Sequence, residues 1–147
     1  MFNWSTILPK PNNAYLGSKI SLYYLVLLSC MFTFRGVVHY FIPDGGSGII
    51  AGLPLDTYSE GAVQSIITGF GVYGKYHLIQ AIFAWLIVFR WRVLIPIFLL
   101  VVGIDQLLGI ILITMKPLPV IPPGQIAAYL LFPITLVTFL LSMRQVK

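Results

Sequence analysis

The residues of this chain whose types and spacing could together do chemistry are Arg35, His39, Tyr73, His77, Gln80 and Asp105. Each interrupts a run of apolar residues. Arg35 and His39 are four apart and share one helical face. Tyr73, His77, Gln80 and Ala84 recur at i, i+4, i+7 and i+11 and share another. Asp105 stacks with Gly109, a glycine that would let a helix or a ligand come close, and Gln106 follows it. An ionisable group inside an apolar span costs about 2.5–3.5 kcal/mol on insertion scales, so it faces protein or water and is functional by default. At 1.5 Å per residue, Arg35 lies about 10 Å from the far end of its run, His77 about 7 Å, Gln80 about 12 Å and Asp105 about 15 Å.

Three chemistries fit such a set. Arg35 and Asp105, opposite in sign and about 5 Å apart in depth, form a pair that holds two helices together or handles a ligand or proton. Alternatively, Arg35 snorkels to lipid headgroups and Asp105 is a neutral, hydrogen-bonded acid. His39 and His77, at similar depths, are the minimum that a b-type haem needs, but two histidines without a further signature do not establish one. No HExxH, CxxC, Walker or GxSxG pattern is present. No catalytic residue is therefore assigned, no metal set is proposed, and the cofactor is unknown. Glu60 and Asp56 read as cap and surface. Cys30, the single cysteine, reads as a small apolar residue.

The elements that position these residues follow from composition. Of 147 residues, 59% are hydrophobic and 9% charged, against about a quarter charged in a soluble domain. Such a chain cannot keep a water-facing surface soluble, and lipid is its solvent. The net charge of +5 does not imply nucleic acid, because the basic residues sit at the ends of apolar runs rather than in a patch. The pattern predicts one all-α integral membrane domain over 1–147. It is an up-down bundle of four transmembrane helices at about 21–42, 72–89, 93–115 and 125–143, each near the roughly 20 residues a span needs.

Pro43-Asp44-Gly45-Gly46-Ser47-Gly48 stops the first span. Thr57-x-x-Glu60 fits a capping box, while Gly69, Gly71 and Gly74 each weaken a helix by roughly 1 kcal/mol. These predict a short helix at 58–68, interfacial or re-entrant, with one long helix as the alternative. Pro96 falls in the first turn of the third span, where proline is tolerated. Pro117, Pro119, Pro122 and Pro123 fill the next loop, and Pro133 should kink the fourth span. Thr135, Thr138 and Ser142 can line one side of that span, giving a polar pocket open to the outside. Residues 1–18, with Phe2, Trp4, Ile7 and Leu8, read as an interfacial foot. No cleavable leader is expected, since the first sustained apolar run begins near Ser21.

Basic residues orient the helices. Lys10, Lys19, Arg90, Arg92, Arg144 and Lys147 fall at one end, with Lys75, Lys116 and Arg35 toward the other. The positive-inside rule places the larger set, and both termini, on the cytoplasmic side of a cell membrane.

Arg35, Gly36 and His39 near the end of the first span, then Pro43-Asp44-Gly45-Gly46 and three further spans, resemble DoxX-like small four-helix membrane proteins. Some members of that family are subunits of quinone-linked oxidoreductases. The resemblance implies an accessory or quinone-proximal role and carries over no residue-level mechanism. The lack of a cysteine pair argues against thiol redox chemistry. The expected function is a non-catalytic accessory subunit of a membrane complex that binds a lipid, a quinone or a partner helix, its partners being membrane lipid and other membrane subunits or itself. The alternative is a small membrane enzyme or ligand-binding protein whose pocket contains the six polar residues.

Overall fold

The four long apolar runs become helices. The computed structural model describes residues 8–117 and 120–144. Its helices are α1 (Lys19–Phe41), α2 (Glu60–Arg90), α3 (Ile95–Met115) and α4 (Pro123–Met143). All four are long and apolar enough to cross a membrane. Ser18 caps α1, its side chain accepting from the Ile20 N–H at 3.2 Å. Ile42, forced to extended backbone by Pro43, ends it. Pro96 and Pro123 occupy first-turn positions of α3 and α4, where the missing N–H costs nothing.

The second helix departs from expectation. Residues 58–68 do not form a helix of their own; α2 runs unbroken for 31 residues through Gly69, Gly71 and Gly74. At 1.5 Å per residue it is about 46 Å long, well beyond a hydrocarbon core of about 30 Å. Packing outweighs the glycine penalty. A Cβ on Gly74 would lie 2.6 Å from the Tyr40 backbone nitrogen, and one on Gly36 would lie 2.9 Å from that of Leu78. The two glycines thus let α1 and α2 touch backbone to backbone. The capping box is also absent. Thr57 closes a 3-10 turn over Leu55–Thr57 and donates its hydroxyl to Pro54 O at 2.7 Å, while Ser59 is the N-cap residue and makes no side-chain cap bond.

The helices converge at the end that carries the chain termini. There Tyr24, Leu25, Leu28 and Phe32 of α1 pack with Ala81, Ala84, Ile87 and Val88 of α2 and Ile95, Leu99 and Val102 of α3. The described part of the N-terminal segment staples this end. Asn12 N–H donates to Arg90 O (2.8 Å), Asn13 Nδ2 to Phe89 O (3.2 Å), and Trp91 Nε1 to Lys10 O (3.2 Å). The first two take up carbonyls that the end of α2 leaves free. Ser18 N–H reaches Leu141 O of α4 at 3.3 Å. Phe2, Trp4 and Ile7 lie outside the described residues. Thr135, Thr138 and Ser142 are buried; Thr135 borders a groove between α3 and α4, but that groove is apolar rather than the expected polar pocket. Tyr24 Oη shares a hydrogen bond with Thr135 Oγ1 at 2.6 Å, and Ser21 Oγ donates to Thr138 O at 2.7 Å. The fourth helix thereby joins the first in the terminal half.

Candidate functional site

Toward the other end, α1 and α2 stay together and carry most of the expected polar residues. The turn after α1 sets the first of them. Asp44 accepts backbone N–H bonds from Gly46 (2.8 Å), Ile49 (2.9 Å) and Gly48 (3.0 Å). These donors, Ile49 foremost, hold its carboxyl below the usual carboxylate range against the opposing pull of burial. Gly45 and Gly46 adopt φ of 60° and 75°, a left-handed region that a side chain would strain. The turn so built presents Gly45 O to His39, whose Nδ1 lies 2.7 Å away. A carbonyl can only accept, so Nδ1 carries the proton and Nε2 keeps the lone pair.

Across the helix contact stand Tyr73 and His77. The Tyr73 and His77 rings meet edge to face at 4.4 Å, His39 and His77 lie 6.4 Å apart, and Phe32 stacks on His77 at 5.6 Å. Phe70 closes the far side of His39 at 5.4 Å. His77 Nδ1 bonds Gln80 Oε1 at 3.0 Å. His77 is only 4% exposed, and its Nε2 is buried without a hydrogen-bond partner. Arg35 lays its guanidinium 5.3 Å from the centre of the Tyr73 ring and donates from Nη2 to Tyr73 Oη at 3.3 Å.

The structure therefore gathers Arg35, His39, Tyr73, His77 and Gln80 into one group on α1 and α2. Asp105 does not join it. It lies on an exposed face of α3, and Arg35 turns its guanidinium to Tyr73. The expected Arg35–Asp105 ion pair is absent among the described residues. The reason is geometric: α3 is buried only at Ile95, Leu99 and Val102, all in its first half, so it packs into the core before Asp105 is reached. Gln106 turns partly inward and leaves Oε1 buried without a partner.

The two histidines are neighbours, as a haem ligand pair requires, but the group does not fit here. Phe32, Phe70 and Tyr73 already pack against the imidazoles, and a porphyrin would need that space. Among the described residues, no group of three or more His, Cys, Asp or Glu side chains could hold a metal ion.

Three features of the site were not singled out from the sequence. Phe32 and Phe70 wall the histidines, and their only signal was apolar character. Asp44 organises the turn that fixes His39, for which Asp before Gly-Gly is a usable signal. The start of α4 reaches Arg35, since a Cβ on Gly124 would lie 3.1 Å from Arg35 Nη2. No sequence pattern announces that approach. Comparison with protein-family models, curated proteins and solved structures returns no match for this chain.

Proposed function

We infer that this chain is a four-span protein of the cell membrane, with both ends cytoplasmic, and that it serves as a non-catalytic accessory subunit docking a partner helix. The observation that supports this most is Asp105. It stands near the middle of a 21-residue apolar helix, on a face that is exposed among the described residues. Facing lipid, a carboxylate there costs about 2.5–3.5 kcal/mol on insertion scales. A partner helix offering a cation or hydrogen-bond donor at that depth removes the cost. One turn on, a Cβ added at Gly109 would meet nothing within 4 Å, so a second helix can approach its backbone closely. Leu99, Gly103 and Leu107 of α3, with Phe132 and Leu136 of α4, line a shallow apolar groove that can take the side chains of such a helix or an acyl chain.

Orientation rests on the basic residues. Lys10, Arg90 and Arg92 gather at the terminal end through the N-terminal staple, and Lys19 and Arg144 flank the same end of α1 and α4. The positive-inside rule puts that end in the cytoplasm. The DoxX-like resemblance, with its oxidoreductase subunits, is consistent with an accessory role and adds no mechanism.

The test is extraction in a mild detergent followed by mass analysis of what travels with the chain. Larger membrane proteins should copurify with the unaltered chain and be lost with Asp105→Leu, while the variant stays folded. A chain that is monodisperse alone, and unaffected by Asp105→Leu, contradicts the accessory reading. For orientation, a cysteine placed at Asn12 should resist an impermeant thiol reagent outside intact cells, and one at Ser47 should react.

A further inference from the structure

The corner formed by Arg35, Tyr73 and the start of α4 presents donors with no acid to receive them. Among the described residues, the guanidinium makes a single hydrogen bond, to Tyr73 Oη. That hydroxyl, accepting from Arg35, keeps its own proton free to donate. The carboxylate of Asp44, nearest in sequence, is occupied by three backbone N–H groups. The start of α4 lies against the guanidinium at Gly124. This helix opens on Pro122 and Pro123 with no side-chain cap, so the positive end of its dipole faces a cation. Two like charges held together without a counter-charge repel, and an anion between them turns the repulsion into attraction. His77 packs its ring against Tyr73 behind this corner.

We propose that the corner formed by Arg35, Tyr73 and the first turn of α4 binds an anionic phosphate, either inorganic phosphate or the phosphate of an anionic glycerol lipid headgroup. The oxyanion takes the Arg35 and Tyr73 donors and sits at the positive end of the α4 dipole. The site does not involve α3, so it stands or falls independently of the docking of a partner at Asp105.

The experiment is the thermal midpoint of the whole purified chain in neutral detergent, titrated with inorganic phosphate or with phosphatidylglycerol, and with phosphatidylcholine as a zwitterionic control. A saturable rise with phosphate identifies a free-anion site. A rise with phosphatidylglycerol but not phosphate identifies a headgroup site. Either supports the proposal if Arg35→Gln makes half-saturation about tenfold weaker, the loss of one charge-assisted contact, and Tyr73→Phe weakens it less. Lys75→Gln removes another cation, one that sits over the Tyr76 ring outside the corner, and should change nothing. If Arg35→Gln fails to fold, Gly124→Ala serves in its place, because it pushes a Cβ toward the guanidinium and keeps the charge. The proposal is overturned if neither ligand gives a saturable shift. It is also overturned if Lys75→Gln weakens the response as much as Arg35→Gln does, or if phosphatidylcholine matches phosphatidylglycerol.

Discussion

The α1–α2 pair and the α3–α4 pair use glycine in opposite ways. Gly36 and Gly74 sit where a Cβ would strike backbone or side chain of the facing helix, and nine residues of α1 are buried. In α3, Gly103 makes only an ordinary contact with Thr135 and Gly109 faces open space, while three residues are buried. The polar residues divide the same way. In the first pair they are walled by aromatic rings and held by one another. In the second, Asp105 looks outward. The first pair closes its own helix contact, whereas the second leaves Asp105 exposed and Gly109 with nothing against it among the described residues. Small residues allow close helix contact in a membrane, so an uncovered glycine beside an uncovered charge marks a place for another molecule.

The strongest way to break this contrast is a matched pair of substitutions. Gly74→Leu should destabilise the chain by about 3 kcal/mol or more, since the collision begins at Cβ and the obstacle is backbone. Gly109→Leu should change the isolated chain by less than about 0.5 kcal/mol, as for a surface site. Chemical denaturation in mixed micelles reads both, and equal effects would end the distinction.

A smaller effect tests the joint between the pairs. Tyr24→Phe removes the hydroxyl bonded to Thr135 at 2.6 Å and should cost about 1–2 kcal/mol, because the buried threonine oxygen loses its partner. Thr135→Val made together with it should recover part of that loss. Full additivity in the cycle would mean that this bond does not join α4 to α1.

The turn beyond the first pair should respond to acid. Because backbone donors hold the Asp44 carboxyl below its usual range, the stability it contributes is present above the unfolded value of about 3.9. That stability is lost as pH falls through the lower folded value. Asp44→Asn should cost about 1–2 kcal/mol at neutral pH, with a discount for solvent around the carboxylate, and should flatten the acid limb. An unchanged melting profile between pH 5 and 2 in that variant, relative to the parent, would show that the turn is held by other means.

The smallest expected effect concerns the two charges that the sequence set opposite each other. Arg35 and Asp105 are not in contact here, so in the isolated chain Arg35→Ala and Asp105→Ala should add to within about 0.5 kcal/mol. Coupling larger than that would restore the shared interior expected from charge and depth.

The four spans, the approximate ends of all but the second, and the ordering of basic residues by end were legible in the sequence, because each is a local quantity. A run of about 20 apolar residues must satisfy its own backbone in lipid, which makes it a helix whatever its neighbours are. Proline and the Gly-Gly turn stop it by backbone chemistry alone. The i, i+4 spacing likewise gathered Tyr73, His77 and Gln80 on one face. What tertiary structure alone decided was rotation and coverage. A helix apolar all round carries no amphipathic stripe to say which face turns inward, so nothing local told that Asp105 would face out or that Thr135 would meet Tyr24. Gly69, Gly71 and Gly74 looked like a break by propensity. At Gly74 contact between helices decides instead, because a glycine that admits a neighbouring backbone gains more in packing than the helix loses in conformational entropy.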